Sequence, residues 1–172
     1  MTDSQKPREE QRLDLYHRMM ERVKHTLEEA EEKTRPRIEH ALETAREKTV
    51  ELGETTREEA EEIASYIRRD LSEIGEYLHD SGEDIGTWFH MDLELIEANL
   101  LDLITSVADK TRVELAEIAA RAKVANIYQT GEITGPGTLT CSECGEELHF
   151  QKAGHVPPCP KCHATTFTRK RP

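Results

Sequence analysis

Two stretches near the carboxyl end of this chain, Cys141-Ser-Glu-Cys144 and Cys159-Pro-Lys-Cys162, determine the fold of its C-terminal part. A Cys-x-x-Cys turn holds two thiolates at the separation that two ligands of a tetrahedral metal ion have. A hairpin between the two pairs brings the second pair of thiolates opposite the first. Four thiolates satisfy the tetrahedron that Zn²⁺ prefers, with Zn–S distances of ~2.3 Å. The spacing therefore predicts a zinc ribbon with Cys141, Cys144, Cys159 and Cys162 as ligands.

One structural Zn²⁺ is the cofactor that this pattern predicts. Four cysteines fill the coordination shell and leave no position open for water, whereas catalytic zinc keeps one open. A ribbon of ~40 residues buries too little surface to fold alone, so metal binding would supply most of its folding free energy. Gly145 and His163 follow the two pairs. They stand where each turn favours a residue that tolerates positive φ.

Two other uses of the cysteines stay open from the sequence alone. A Cys₃His site could recruit His155 or His163, although four cysteines in register make a histidine ligand unnecessary. A Cys-x-x-Cys pair can also act as a thioredoxin-like redox centre. The chain has two matched pairs and no βαβ pattern around them, which favours the metal site.

The residues before the ribbon have the pattern of amphipathic helices, with apolar residues at spacings of three and four. We predict a disordered N-terminus over 1–6, a helical region over 7–127 and a ribbon with a basic tail over 128–172. The predicted fold class is mainly α, with elongated helical hairpins or a coiled-coil-like bundle followed by a small β zinc ribbon. Breaks in the helices are expected near 34–36, 53–55, 80–86 and 109–111.

Local signals mark the ends of one of these helices. Gly53 is a helix terminator. Thr55 or Thr56, with Glu58 or Glu59 three residues on, predicts a capping box for the helix that follows. That helix is expected to run to about residue 79, before a turn rich in glycine and acidic residues.

The most apolar helical segment is predicted over 87–108. A helix that is apolar around so much of its girth must be covered on more than one side. Alanines at 30, 45 and 60 add a fifteen-residue spacing that permits close helix approach. We therefore expect the helices to self-associate or to dock on a protein partner, through Trp88, Phe89, Leu93, Ile96 and Leu100.

Charge is distributed unevenly along the 172 residues. The net charge is −12, and residues 128–172 carry +1, so residues 1–127 carry −13. Such an acidic region is repelled by nucleic acid and by anionic lipid, so a membrane partner is not expected. The N-terminus lacks the apolar core of a signal peptide. We predict a cytoplasmic protein, in which thiols stay reduced.

A rival hypothesis gives the ribbon a nucleic-acid role, or a role in binding the transcription or translation machinery. Its support is the small basic tail formed by Arg169, Lys170 and Arg171. Few cations offset by nearby acids give little phosphate affinity, so this alternative is not favoured. The sequence also contains no Ser/His/Asp set, phosphate loop or His-Glu-x-x-His motif, and we therefore predict a non-enzymatic protein.

Three stretches resemble a known family: residues 108–115, residues 128–141, and residues 158–162 with 166–169. They are similar to the bacterial zinc-ribbon-containing proteins of unknown function, which join an N-terminal helical region to a C-terminal ribbon. The resemblance implies a ribbon that uses the same four cysteines, and it implies no activity. His163 departs from the glycine that usually follows a knuckle's second cysteine.

Overall fold

The computed structural model describes residues 6–29, 37–89, 94, 96–122 and 127–171. Within these residues, helices come first: α1 (Lys6–Glu29), α2 (Arg37–Glu51), α3 (Arg57–Ser81), α4 (Ile85–Phe89) and α5 (Ala98–Ala122). Short strands follow: β1 (Ile127–Gln129), β2 (Ile133–Thr134), β3 (Gly137–Cys141), β4 (Glu147–Phe150), β5 (Gly154–His155) and β6 (Thr166–Arg169). The predicted fold class, helical hairpins followed by a small β region, is confirmed.

In the helical hairpin of α2 and α3, α3 has the N-cap that the sequence predicts and runs to Ser81, two residues beyond the expected end near 79. Thr56 is the N-cap of α3, and its side chain accepts a hydrogen bond from the Glu59 N–H at 3.2 Å. Gly82 ends the helix in the left-handed conformation, with φ of 68°. The two helices run antiparallel, because Glu39 of α2 pairs with Arg68 of α3 and Arg46 pairs with Glu61.

The prediction of one continuous helix over 87–108 is wrong. The chain leaves α4 after Phe89, and Ile96 and Glu97 lie outside any helix before α5 begins. The Glu97 N–H donates a hydrogen bond to the Gln151 carbonyl of the ribbon, 2.9 Å away. The Glu97 N–H is available for this contact because residue 97 lies outside a helix. Both described parts of the apolar segment contribute to one core, with Phe89 before the break and Leu100 after it.

The other predicted breaks have different outcomes. Near 109–111 there is a kink within α5 and not a gap, since Thr111 has φ of −125° and ψ of 17°. Its hydroxyl donates a hydrogen bond to the Val107 carbonyl at 2.7 Å, which satisfies the side chain inside the helix. Residues 34–36 lie outside the described residues, as do residues 1–5 of the predicted disordered N-terminus. Of the described helices, none combines the length and the hydrophobicity that a membrane crossing needs.

The helices close their apolar faces on one another in a single core. Its members come from all five helices, and two of its buried side chains, Ile133 and Ala153, come from the ribbon. The ribbon contacts α1, α3 and α4. The two parts of the chain therefore share a hydrophobic interface and do not behave as a bundle with a free appendage.

A close approach between α3 and α5 depends on Gly75. A Cβ added there would lie 2.2 Å from Leu115 Cβ, a position that the neighbouring backbone fixes. We predict that Gly75→Ala destabilises the protein by about 2 kcal/mol, because the overlap outweighs the gain in helix propensity. Urea unfolding followed by circular dichroism measures it. A Gly75→Ala/Leu115→Gly double variant, which removes the Cβ that clashes, should be less unstable than the sum of its singles, and strict additivity would contradict the close contact.

The ribbon consists of two antiparallel sheets. The larger has the strand order β1-β6-β3-β4, and β2 pairs with β5 in the smaller. Its own small core is built from Tyr128, Leu139, Cys141, Val156, Cys159 and Phe167. The inner strand β6 follows the second cysteine pair and carries Arg169, which reaches the helices.

Candidate metal centre and its junction with the helices

The two cysteine turns have the same backbone geometry. In the first, the Gly145 N–H donates to the Cys141 carbonyl at 3.0 Å. In the second, the His163 N–H donates to the Cys159 carbonyl at 2.9 Å. Both Gly145, with φ of 75°, and His163, with φ of 62°, have the left-handed backbone that the sequence predicts. Each turn therefore holds its pair of thiols on one side of the chain.

The structure brings the four predicted cysteines together. Their Sγ atoms all lie within 4.8 Å of one another. The Cys141–Cys162 and Cys144–Cys159 Sγ pairs are both separated by 3.6 Å. A tetrahedron of Zn–S bonds has edges of ~3.8 Å, so the observed spacing and the all-sulfur donor set fit a tetrathiolate metal site.

Neither histidine of the alternative Cys₃His site joins this cluster. Among the described residues, the group that could hold an ion consists of the four cysteines. His155 faces carbonyl oxygens on both sides, with Nδ1 3.2 Å from Gly131 O and Nε2 3.1 Å from Glu9 O. His163 shapes its turn through its backbone. A cluster of four thiols also fits a metal site better than an isolated redox pair.

The thiols have unequal acidities in the absence of a cation. Burial raises the pKa of Cys159, but the N–H groups of Cys162 and Lys161 and the neighbouring thiols outweigh it and lower the pKa to about 7. The Ala164 N–H lowers the pKa of Cys162. Hydrogen bonds with the other thiols, together with burial, outweigh this effect and raise the pKa to about 12. Metal binding must displace protons from such a set, so the affinity for metal falls as the pH falls.

His163 provides a test of the second turn. Replacing it with glycine removes the steric cost of its positive φ, so we predict that His163→Gly stabilises the metal-loaded ribbon by about 0.5–1 kcal/mol. The matched control is Gly145→Ala, whose added Cβ would meet no atom within 4 Å. That variant should lose about 1 kcal/mol through backbone strain alone. Urea unfolding with excess metal measures both, and a destabilised His163→Gly would show that the imidazole itself matters.

A buried ionic cluster joins the ribbon to the helices. Arg169 of β6 lies with its Nη2 3.2 Å from Asp70 Oδ1 and its Nε 3.3 Å from Glu73 Oε2. The three side chains are only 1–4% exposed. Arg169 Nη2 also donates to Thr134 Oγ1 at 2.7 Å. Arg169, the last residue of β6, is therefore an internal counter-charge for two acids of α3.

Aromatic hydroxyls complete this cluster. Tyr128 OH lies 2.8 Å from Glu73 Oε2 and 3.1 Å from Asp70 Oδ1. Tyr16 OH of α1 donates to Asp70 Oδ2 at 2.8 Å, and the Gly135 N–H donates to the same oxygen at 2.8 Å. Burial raises the pKa of both tyrosines well above the ordinary value, and the negative charge of Asp70 adds to this effect.

An arginine of α3 covers the edge of the cluster. The Arg69 guanidinium carbon lies 3.8 Å from the centre of the Tyr128 ring, within range of a cation–π interaction. Its Nη1 also contacts Glu132 Oε2 at 2.6 Å, and its Nη2 donates to the Ile133 carbonyl at 3.1 Å. Arg69 thus ties the outside of α3 to the ribbon.

The predicted interaction residues occupy three kinds of position. Lys170 and Arg171 lie near the surface and contact Glu147 and Glu76 at 2.6 and 2.7 Å, while Arg169 is buried. Leu93 lies outside the described residues. The remaining four belong to the helical core and are at most 4% exposed: Trp88, Phe89, Ile96 and Leu100.

Comparison with known proteins agrees with this site. The chain is 28% identical over 78 residues to the uncharacterized protein YbeL of Escherichia coli K12, and the YbeL proteins of strains O6:H1 and O157:H7 match to the same extent. The aligned part is 45% of this chain and 49% of each relative, so the chain spans about half the length of the relatives it matches. No solved structure matches the chain.

The family-level comparison covers more of the chain. The family model described as a zinc-ribbon containing domain matches residues 25–171, which include α2 to α5, every strand and all four cysteines. The resemblance noted from the sequence is confirmed. On this match, the chain belongs to the family of the zinc-ribbon containing domain.

Proposed function

We propose that the chain is a cytoplasmic, non-enzymatic protein that binds one structural Zn²⁺ and acts as a protein-interaction module. The observation that carries this proposal is a cluster of four thiols in a ribbon that Arg169 joins to the helices through its ion pair with Asp70. The ribbon and the bundle thereby form one body that can present a fixed surface. Cytoplasmic residence follows from the need to keep four thiols reduced for the metal.

Interaction with a different protein has more support than self-association. The apolar side chains that suggest self-association, such as Phe89 and Leu100, are buried within one chain. Large apolar side chains that remain exposed on the described surface are scattered: Leu52, Val113 and Ile127. The exposed helical surface is mostly charged, and residues 1–127 carry −13. A partner with a basic surface would complement it.

The mass of the zinc-loaded protein tests this choice. Light scattering coupled to size exclusion should give a monomer of 19.7 kDa. A stable dimer would contradict the proposal and favour self-association. Fluorescence polarisation with single-stranded and duplex oligonucleotides should show no salt-sensitive binding. Such binding, if lost in a Lys170→Gln/Arg171→Gln variant, would favour the nucleic-acid alternative.

A photo-crosslinking residue tests the partner itself. Leu52, in the turn after α2, and Val113 of α5 are 55% and 45% exposed, so a crosslinker at either site should leave the core intact. We expect at least one site to give a discrete protein adduct when a cell extract is irradiated at low salt, and no adduct when it is irradiated at high salt, since charge complementarity is screened. Absence of an adduct at both sites would count against this acidic surface as the docking face.

A further inference from the structure

The ionic cluster at the junction holds more acid than base. Asp70 and Glu73 of α3 face Arg169 of β6, and Arg69 approaches Asp70 Oδ1 at 3.8 Å but pairs more closely with Glu132, at 2.6 Å. With all three acids ionised, they and the two arginines would carry a net charge of −1, around a centre in which Asp70, Glu73 and Arg169 are at most 4% exposed. A buried uncompensated charge is costly, so a cluster of this kind is more stable with one additional proton.

The hydrogen bonds in the cluster show where that proton fits. Tyr128 OH has one hydrogen but lies within hydrogen-bonding distance of both Glu73 Oε2 and Asp70 Oδ1. If both acids were ionised, it could serve only one of them. Glu73 Oε1 is buried and has no hydrogen-bond partner among the described residues. A proton on Glu73 Oε2 resolves this conflict, because Glu73 then donates to Tyr128 and Tyr128 donates to Asp70.

The charges around Glu73 come from several elements. Burial raises the pKa of Glu73 to about 7, and the charge of Asp70 acts in the same direction. Arg169 of β6, the Tyr128 hydroxyl of β1 and Arg171 of the chain end lower it, without restoring the ordinary value. Tyr16 of α1 donates to Asp70, and Arg69 lies over the Tyr128 ring.

We propose that Glu73 holds one proton, which it donates to the Tyr128 hydroxyl while that hydroxyl donates to Asp70, and that this proton stabilises the docking of the zinc ribbon on the helical bundle. The hydrogen-bonded chain of protonated Glu73, Tyr128 and Asp70 is called the latch below, because it joins the ribbon to the helices only while the proton is bound. The pKa of Glu73 is about 7 in the docked state and 4.5 when the side chain is exposed to water. Undocking between these pH values therefore releases a proton. The contribution of Glu73 to docking is complete below pH 4.5 and is lost as the pH rises to about 7.

The Gly135 amide reports directly on the latch, since its N–H donates to Asp70 Oδ2 across the junction. Hydrogen exchange of this amide in the zinc-loaded full chain gives the opening equilibrium constant after correction for intrinsic exchange. From pH 5.5 to 7 the constant for the wild-type protein, divided by that for Glu73→Gln, should rise ~10-fold per pH unit. It should level off above pH 7.5. The Gly145 amide, which bonds within the first cysteine turn, is the internal control.

Parallel profiles for the wild-type protein and E73Q would overturn the proposal, because a neutral glutamine has no proton to lose. A measurement on the unmodified protein covers the case in which the variant does not fold. The ¹³C shift of the Glu73 carboxyl, followed by NMR, should titrate near pH 7. A carboxyl already ionised at pH 5.5 would also overturn the proposal.

Discussion

Replacing Arg169 with methionine should destabilise the zinc-loaded protein by about 3–5 kcal/mol. The substitution removes the one cation that contacts both Asp70 and Glu73, all three being at most 4% exposed. Deleting one partner of a buried ion pair leaves an uncompensated charge in a site that water does not reach. Urea unfolding monitored by circular dichroism gives the free energy of unfolding.

The neighbouring basic residues provide matched controls for this result. Lys170 and Arg171 form ion pairs with Glu147 and Glu76, but their side chains are 40% and 43% exposed. Lys170→Met and Arg171→Met should therefore each change the stability by less than about 1 kcal/mol. A loss for Arg169→Met no larger than in these controls would contradict the internal role of Arg169.

A compensated variant separates charge from packing. Neutralising the acids as well, in Asp70→Asn/Glu73→Gln/Arg169→Met, removes every formal charge of the triad. Buried ion pairs replaced as a whole often cost little, so this variant should regain most of the lost stability. Failure to recover would indicate that the shape of the guanidinium, and its bonds to Thr134 and Pro136, matters more than its charge.

The metal centre was accessible to sequence analysis because its determinants are local. The spacing of the cysteines predicts the cluster, and the residue after each pair predicts the backbone of each turn. Gly145 and His163 both have positive φ. Each of these inferences depends on a few consecutive residues and on the ligand preferences of a metal, so none requires knowledge of how distant elements pack.

The junction was missed because it depends on which helical face meets which strand. The sequence alone places Arg169 in a basic tail, although its side chain shares the inward face of β6 with Phe167, two residues earlier. Asp70 lies three residues after Ile67, on the spacing of the apolar stripe of α3. An acid at a core position signals a buried partner, but the sequence alone does not say that the partner is ninety-nine residues away.

The error at 87–108 has a related cause. A regular apolar stripe predicts a helix, but it does not say where tertiary contacts interrupt it. Here Glu97 donates its N–H to the ribbon, and Ile96 is buried outside the helices. The same packing places Trp88 and Leu100 inside the core. Apolar residues that suggest an interface between chains are thus accounted for within one chain.

Removing the metal should unfold the ribbon and weaken the helices at the same time. Structural zinc in small domains contributes on the order of 10–16 kcal/mol to folding, and this ribbon has only a small core of its own. Loss of the ribbon also withdraws Arg169 from Asp70 and Glu73 and exposes the interface around Ile133. We therefore expect a chelator to lower the unfolding midpoint of the helical signal, and not only to abolish the β signal.

A ligand variant makes the test specific to the cysteine cluster. Cys144→Ser should lose the bound Zn²⁺, measured as released metal with a colorimetric chelator, and should behave like the chelated protein in urea unfolding. Ser142→Ala is the matched control, because Ser142 is exposed in the same turn and is not a member of the thiol cluster. That variant should keep one Zn²⁺ per chain and a normal midpoint. If the metal-free protein retained the wild-type helical midpoint, the ribbon and the bundle would be independent, and the junction at Arg169 would contribute nothing to their coupling.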